Sequence, residues 1–513
     1  MFDSETTLDP SDWVSLRAQS HRMLDDMLDY VSQIRQSPVW QAAPESIEKV
    51  FTAPLPSAPQ SLSATHDTFM QNVLPYAIGN SHPGFMGWVH GGGSVVGMLA
   101  EMLAAGLNSN LGGRDQIPIQ VEQQVVRWMQ QLFEFPESAS GLFVTGSSMA
   151  NLVGLLVART SKLGTEVRGK GLQQVQEQLV AYTSVDSHSC LERAMEMAGM
   201  GGHQLRKIEV NDRHQMNLLA LQENIERDKA LGFTPFCIIG TAGTVNVGAI
   251  DDLQAISEIA VANEMWFHVD GACGALGMMS PKIGSKMIGI QRADSIALDF
   301  HKWGQVPYDA GFILVRDSRL HYDTFASSAD YLRRETRGMA AGSPWPCDFG
   351  PDLSRSFKAL KVWFTMQVFG SERLAKMMEK SCELAEYMAC CIEASDELEL
   401  LAPVNLNIVC FRYRCEQADC ENAERVNADR VNADRVNADR VNADRVNADI
   451  VVAVQESGIA APSSTTIRGK FAIRAALFNH RTSRVDVDNL LAASIRFGRA
   501  IRKSYEVTEC NSL

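Results

Sequence analysis

The chain has 513 residues, of which 45% are hydrophobic, 21% charged and 7% aromatic: an ordinary globular composition, long enough for two or three buried cores. The net charge of −14 argues against a nucleic-acid-binding surface, which needs clustered Lys and Arg. The 11 cysteines are scattered with no CxxC pair, the opening MFDSETTLDPSDW carries no apolar signal core, and no stretch is apolar enough to span a bilayer. A cytoplasmic protein in a reducing compartment is the expectation.

In chain order, residues 12–36 repeat apolar side chains at helical spacing (Trp13, Leu16, Met23, Met27, Tyr30, Val31, Ile34) and predict a helix. Residues 52–64 are rich in Pro, Ser and Ala and read as a connector. Helical spacing returns over 94–107 and 121–132. From about residue 140, short β-branched and apolar runs at 179–183, 236–240, 265–269, 295–298 and 312–315 alternate with helical stretches, as in a mainly parallel α/β sheet. A long helix follows from 370 to about 396. Strands at 407–413 and 470–477 then predict a smaller α+β unit. The expected division is a helical segment 1–70, a large domain 71–370 and a small domain 371–513.

Residues 425–449 are five tandem copies of Arg-Val-Asn-Ala-Asp. A five-residue period advances about 140° around a helix, so the valines spiral and build no apolar stripe. A solvated helical extension or a disordered insert is the expectation there.

Two segments point to chemistry. Met265-Trp266-Phe267 leads into His268-Val269-Asp270-Gly271-Ala272, an acid at a strand end followed by small residues that permit close approach. Alone, Asp270 is equally a helix cap. Asp299-Phe300-His301-Lys302-Trp303 places a lysine at the end of another buried strand. A desolvated lysine is expected to have a lowered pKa, so that its amine attacks an aldehyde; alone, it is equally a surface lysine. Together, an acid and an amine at adjacent strand ends suit pyridoxal 5′-phosphate (PLP), whose ring nitrogen needs a carboxylate to stay protonated. Thr145-Gly146-Ser147-Ser148-Met149-Ala150-Asn151 precedes an apolar helix and offers free N–H groups to a phosphate. His188, after a strand, is placed to stack on the ring.

This set resembles the group II PLP-dependent amino-acid decarboxylases: 145–151, Tyr182 with His188, 241–244, 268–272 and 299–303, together with His82-Pro83, 354–370 and 468–474. The resemblance spans roughly residues 70–500. It implies PLP-transferase fold type I, the aspartate-aminotransferase-like fold, with a mixed seven-stranded sheet, a small α+β C-terminal domain and an obligate homodimer. It implies decarboxylation of an L-amino acid through a Schiff base on Lys302 and a quinonoid intermediate, with Asp270 on the ring nitrogen and His188 over the ring. It further implies Ser147, Ser148 and Ser295 on the phosphate with help from His301, Ala272 beneath the ring, and Thr244, or its neighbour Val245, on the cofactor. Tyr331, 29 residues after the lysine, matches a family loop tyrosine that returns a proton to the substrate carbon, where Phe favours aldehyde synthesis. Trp88, Arg114 and Arg474 are the candidate substrate residues. The choice among aromatic, acidic and basic substrates stays open, with a slight lean to aromatic.

One rival is a serine hydrolase, from His90-Gly91-Gly92-Gly93, the elbow-like Gly146–Ala150 segment and His480 as base. No metal site is expected, because His82, His90, His188, His268 and His301 fall in separate segments without ligand spacing.

Overall fold

The computed structural model describes residues 7–327, 333–415 and 443–510. Its main helices are α1 Trp13–Ser32, α2 Leu62–Asn72, α3 Val95–Leu107, α4 Ile117–Leu132, α5 Ser147–Leu163, α6 Cys190–Met197, α7 Leu218–Ala230, α8 Leu253–Ala262, α9 Ser318–Phe325, α10 Lys358–Glu393, α11 443–456 and α12 Arg484–Cys510. The strands are β1 Phe85–Met86, β2 Ser140–Val144, β3 Leu179–Ser184, β4 Leu205–Ile208, β5 Thr234–Thr241, β6 Trp266–Asp270, β7 Ser295–Asp299, β8 Gly311–Val315, β9 Leu398–Leu400, β10 Ile408–Tyr413, β11 Ala461–Ile467 and β12 Lys470–Ala476.

A seven-stranded sheet runs β2-β8-β7-β6-β5-β3-β4, and only β8 opposes its neighbours' direction. Alternate residues of each strand feed two cores: Phe143, Tyr182, Val269 and Leu298 pack in one, Val144, Ala181, Trp266 and Ala297 in the other. Strands buried on both faces read as continuous apolar runs, which is why their period is hard to see. β2 (Ser-Gly-Leu-Phe-Val) and the short β4 are additions to the predicted strands. This is the mixed α/β sheet that fold type I requires.

The second sheet, β1-β11-β12-β10-β9, belongs mostly to the C-terminal part, but Phe85 and Met86 of β1 pair in parallel with Ala461 and Pro462 of β11. That pairing carries residues 87–93 across to the large sheet. β11 (Ala-Pro-Ser-Ser-Thr-Thr-Ile) is too polar to be visible as a strand, and pairing with β12 supplies its order. α10 starts twelve residues before the predicted Gly370. Gly370 itself (φ 70°, ψ 160°) breaks the helix and lets it change direction.

The last repeat copy departs from the solvated or disordered expectation. Residues 443–456 are helical, with Val446 and Asn447 in the interior. The Asn447 side chain accepts the Tyr413 N–H at 2.7 Å and donates to the Tyr413 carbonyl at 3.1 Å, tying α11 to β10. Asp444, the end of the fourth copy, accepts the Phe471 N–H at 2.9 Å. Tertiary partners give the end of the repeat a buried face that its period alone lacks. Residues 425–442 of the repeat lie outside the described residues.

A buried ion pair fixes α4 beside the sheet. Arg355 donates to Glu122 at 2.6 Å, and to the carbonyls of Leu111 and Phe143 at 3.0 Å each. Glu122→Ala strands that guanidinium and is expected to cost about 3–5 kcal/mol of unfolding free energy. Urea denaturation measures it, and a loss under ~1 kcal/mol would contradict the pair's structural role.

Candidate active site

Parallel strands bring their C-terminal ends to one edge of the sheet, where the following loops enclose a cavity of about 510 Å³. Asp270 ends β6 and Asp299 ends β7, while Thr145–Ser148 follow β2 and His188 follows β3. β8 runs the other way, so its first residue, Gly311, also lies at this edge. A Cβ on Gly311 would stand 2.4 Å from the Gly146 Cα, so a glycine at 311 lets α5 start against the strand.

Lys302, Asp270, His188, Ala272, His301, Ser147, Ser148, Trp88 and Arg474 all line this cavity. Asp270 is 3% exposed, and its carboxylate accepts the Ala272 N–H at 3.2 Å. Burial pushes it above the ordinary carboxylate range, against the pull of Lys302, the Ala272 N–H and His188. Such a carboxylate gains from any cation or N–H donor that enters the cavity, and a protonated ring nitrogen is one. Small Ala272 leaves room for a flat ring, and His188 stands at the rim with Nδ1 accepting the Cys190 N–H at 3.1 Å. Loss of water lowers the His188 pKa, with Asp270 pulling it up and Lys302 pushing it down. These residues fit a PLP ring and aldehyde.

Lys302 differs from expectation in charge. Burial lowers its pKa, but Asp299, Cys273, the Asp299 hydrogen bond and Asp270 together outweigh burial and hold it above the ordinary lysine value. Its Nζ lies 3.0 Å from Asp299 Oδ2. The free lysine is therefore an ammonium, not the neutral amine that desolvation alone would give.

Three predicted residues are placed otherwise. Ser295 begins β7, at the far end of the strand from Asp299, and its hydroxyl accepts Trp266 Nε1–H at 2.8 Å and meets His268 Nδ1 at 2.7 Å; it supports the sheet behind the site. Thr244 turns its hydroxyl to the Ala249 N–H at 3.0 Å, and Val245 lines the cavity instead. Arg114 lies outside the cavity, its guanidinium 4.5 Å over the Trp345 ring. Tyr331 lies outside the described residues. Arg474, 3% exposed, donates to the carbonyls of Trp88 and Asn246 at 3.0 and 3.1 Å, to that of Val245, and to Ser463 Oγ at 3.1 Å.

The sequence reading also passed over several groups. Asp299 sat inside a quoted motif without a role; its i,i+3 spacing to Lys302 was the available signal. His90 was weighed as part of a hydrolase. In the structure its ring lies 5.6 Å from Phe85 and Tyr308 and 6.2 Å from Trp88, forming an aromatic wall. Tyr308 packs 4.4 Å from His301. The hydrolase fails on geometry: His480 is absent from the cavity that holds Ser148, and its Nε2 meets the Gly93 carbonyl at 3.0 Å. Among the described residues no group of three His, Cys, Asp or Glu side chains is placed to hold a metal, and no helix is long and apolar enough to cross a membrane.

Known proteins resemble this chain over most of its length. The family described as the pyridoxal-dependent decarboxylase conserved domain matches residues 44–414. The aromatic-L-amino-acid decarboxylase of Bacillus atrophaeus is 32% identical over 406 residues, 78% of this chain and 82% of that protein. The L-2,4-diaminobutyrate decarboxylase of Rhizobium meliloti (strain 1021) is 31% identical over 362 residues, 70% and 71% of the two chains. A solved glutamate decarboxylase domain, from a Vibrio parahaemolyticus diaminobutyrate-pyruvate transaminase and L-2,4-diaminobutyrate decarboxylase, superposes with a TM-score of 0.81 at 26% identity, covering 96% of this chain and 97% of that one. The chain belongs to the pyridoxal-dependent decarboxylase family and is a PLP-dependent carboxy-lyase.

Proposed function

We propose that the enzyme converts an aromatic L-amino acid to its amine and CO2. The observation that carries the choice of substrate is the wall of Trp88, His90 and Tyr308 beside Lys302. Flat rings stack favourably on such a wall. An acidic side chain would need a free cation, but Arg114 is outside the cavity and Arg474 spends its donors on carbonyls and Ser463.

When bound, PLP supplies the electron sink for the bond that breaks. Lys302 would hold its aldehyde carbon, and Asp270 would keep the proton on the ring nitrogen. Ser148 and the N–H groups of α5 beyond Ser147 would take the phosphate, with His301 alongside, because Ser147 gives its N–H and its hydroxyl to Asp299 instead; Ala272 and His188 would flank the ring. The positive field of Arg474 at the cavity wall favours an α-carboxylate, and its contacts hold the backbone of Trp88 and Val245 in shape. Tyr331 returns the proton to the substrate carbon, as the family pattern implies.

The enzyme acts as a cytoplasmic homodimer on this reading. Trp13 and Val14 on α1, and Met102, Leu103 and Leu107 on α3, are exposed apolar residues of the kind that a second copy covers.

Incubating the holoenzyme with the twenty amino acids plus DOPA, 5-hydroxytryptophan, diaminobutyrate and cysteine sulfinate, and measuring amine, CO2 and H2O2, tests the reading. Aromatic amines with equimolar CO2 are expected. Turnover confined to diaminobutyrate or an acidic substrate would replace the aromatic assignment, and H2O2 in place of amine would make the protein an aldehyde synthase. Tyr331→Phe is expected to move product from amine toward aldehyde and H2O2.

A further inference from the structure

Asp299 is held by more groups than any other carboxylate at this edge of the sheet. It is 3% exposed, its Oδ1 accepts the Ser147 N–H at 2.7 Å, and its Oδ2 accepts the Ser147 hydroxyl at 2.5 Å. Oδ2 also pairs with Lys302 Nζ at 3.0 Å, and His301 Nε2 stands 3.7 Å away. One side chain thus ties the first residue of α5 to the lysine. An ion pair removed from water is strong when hydrogen bonds satisfy its remaining lone pairs, as Ser147 does here.

Lys302 feels Asp299 from β7, Asp270 from β6, Cys273 from the loop after β6, His188 from the loop after β3, His90 from the segment after β1, His301 and Tyr308. Of the two acids in this set, Asp299 is the one within ion-pair distance of Nζ.

We propose that Asp299 is a positioning residue that keeps Lys302 an ammonium ion whenever Nζ is free, and so sets the pH at which the lysine bonds to an aldehyde. The inference rests on Lys302 being the attachment point. For the bond to form, Nζ gives one proton to solvent, the free amine adds to the aldehyde carbon, and the carbonyl oxygen leaves as water. The ion pair opposes the first step. Conversely, it secures the proton on Nζ each time a substrate amine displaces the lysine. Ser147 acts through Asp299 by holding the carboxylate in place and in its charged form.

Pyridoxal, which has the aldehyde but no phosphate, isolates this step from any anion contact at Ser147. The measurement is the rate at which the visible imine band grows when cofactor-free enzyme meets pyridoxal across a pH series, followed by borohydride reduction and peptide mapping. For the unmodified enzyme the rate is expected to climb without a plateau through pH ~10, the ordinary lysine value. Asp299→Asn keeps the size and an acceptor for the Ser147 N–H but removes the charge. At neutral pH its rate is expected to rise at least ~10-fold, one pKa unit, with a plateau at lower pH. Asp299→Glu, which restores charge, is expected to return toward the unmodified course, an outcome that a merely structural role would not produce. A plateau below pH ~8 in the unmodified enzyme overturns the proposal, even without a folded variant. So does an Asn variant with the unmodified course while the label maps to Lys302, which leaves the attachment reading intact. A label on another lysine overturns both.

Discussion

Lys302→Ala is expected to lower kcat/KM by at least ~10⁴-fold and to abolish borohydride-stable attachment of the cofactor. Among the described residues it is the one lysine lining the cavity, so no neighbour can take over its covalent role. The loss has two parts. The cofactor would lose its covalent anchor, and the group that releases the amine is gone. Lys302→Arg should be as inactive, because a guanidinium keeps the charge beside Asp299 but is no nucleophile at neutral pH. The separation of attachment from charge makes the pair informative. Absorbance after dialysis and reduction reads attachment, and a rate assay with the best substrate reads turnover. Appreciable turnover by either variant, or a reduced label elsewhere in the chain, would remove Lys302 from the mechanism.

Asp270→Asn is expected to cost about 10³-fold in kcat while leaving cofactor attachment intact. Asn keeps the shape at the end of β6 but not the charge that holds a proton on the ring nitrogen. If that charge is worth about three pKa units, its loss is about 4 kcal/mol of barrier. The same substitution should stabilise the cofactor-free protein. Burial raises the Asp270 pKa in the fold above its unfolded value, so the charged form costs stability once pH exceeds the ordinary carboxylate value near ~3.9. Asn removes that cost. Cofactor-free Asp270→Asn therefore melts higher than the unmodified protein at neutral pH, and the gap closes as pH falls toward that value. Activity down and cofactor-free melting temperature up is a paired signature; an unchanged kcat would mean that Asp270 does not serve the ring.

These effects follow from features already visible along the chain. The acid at 270 and the lysine at 302 each end an apolar run, and a strand end at the sheet's carboxyl edge is where ligands bind, whatever the remainder of the fold. Five strands of the large sheet, the small-residue start of α5 and the position of His188 were legible for the same reason: short apolar runs, turn residues and helix starts are written within ten or so residues. The count of seven strands came from the family resemblance, and β2 and β4 were not legible as runs. Residues 85–93 showed Trp88 as an aromatic candidate but not its companions, because β1 reaches the cavity only by pairing with β11, some 375 positions along the chain.

What the sequence by itself determined is the cofactor chemistry: a carboxylate and an amine at neighbouring strand ends, a helix start for the phosphate, and the family these motifs mark. Tertiary structure alone decided which polar groups face the cavity and in what charge state. Ser295 is in the right strand at the wrong end, and Thr244 is one residue from the wall that Val245 forms. Arg114 stacks on Trp345. The end of the repeat gains a buried face because β10 offers a partner to Asn447 of the last copy and β12 one to Asp444 of the fourth. Lys302 is an ammonium because Asp299 sits 3.0 Å away, against what burial alone dictates. Side-chain direction and electrostatic pairing vary over a few ångströms, and such distances are set by the packing of segments far apart in sequence.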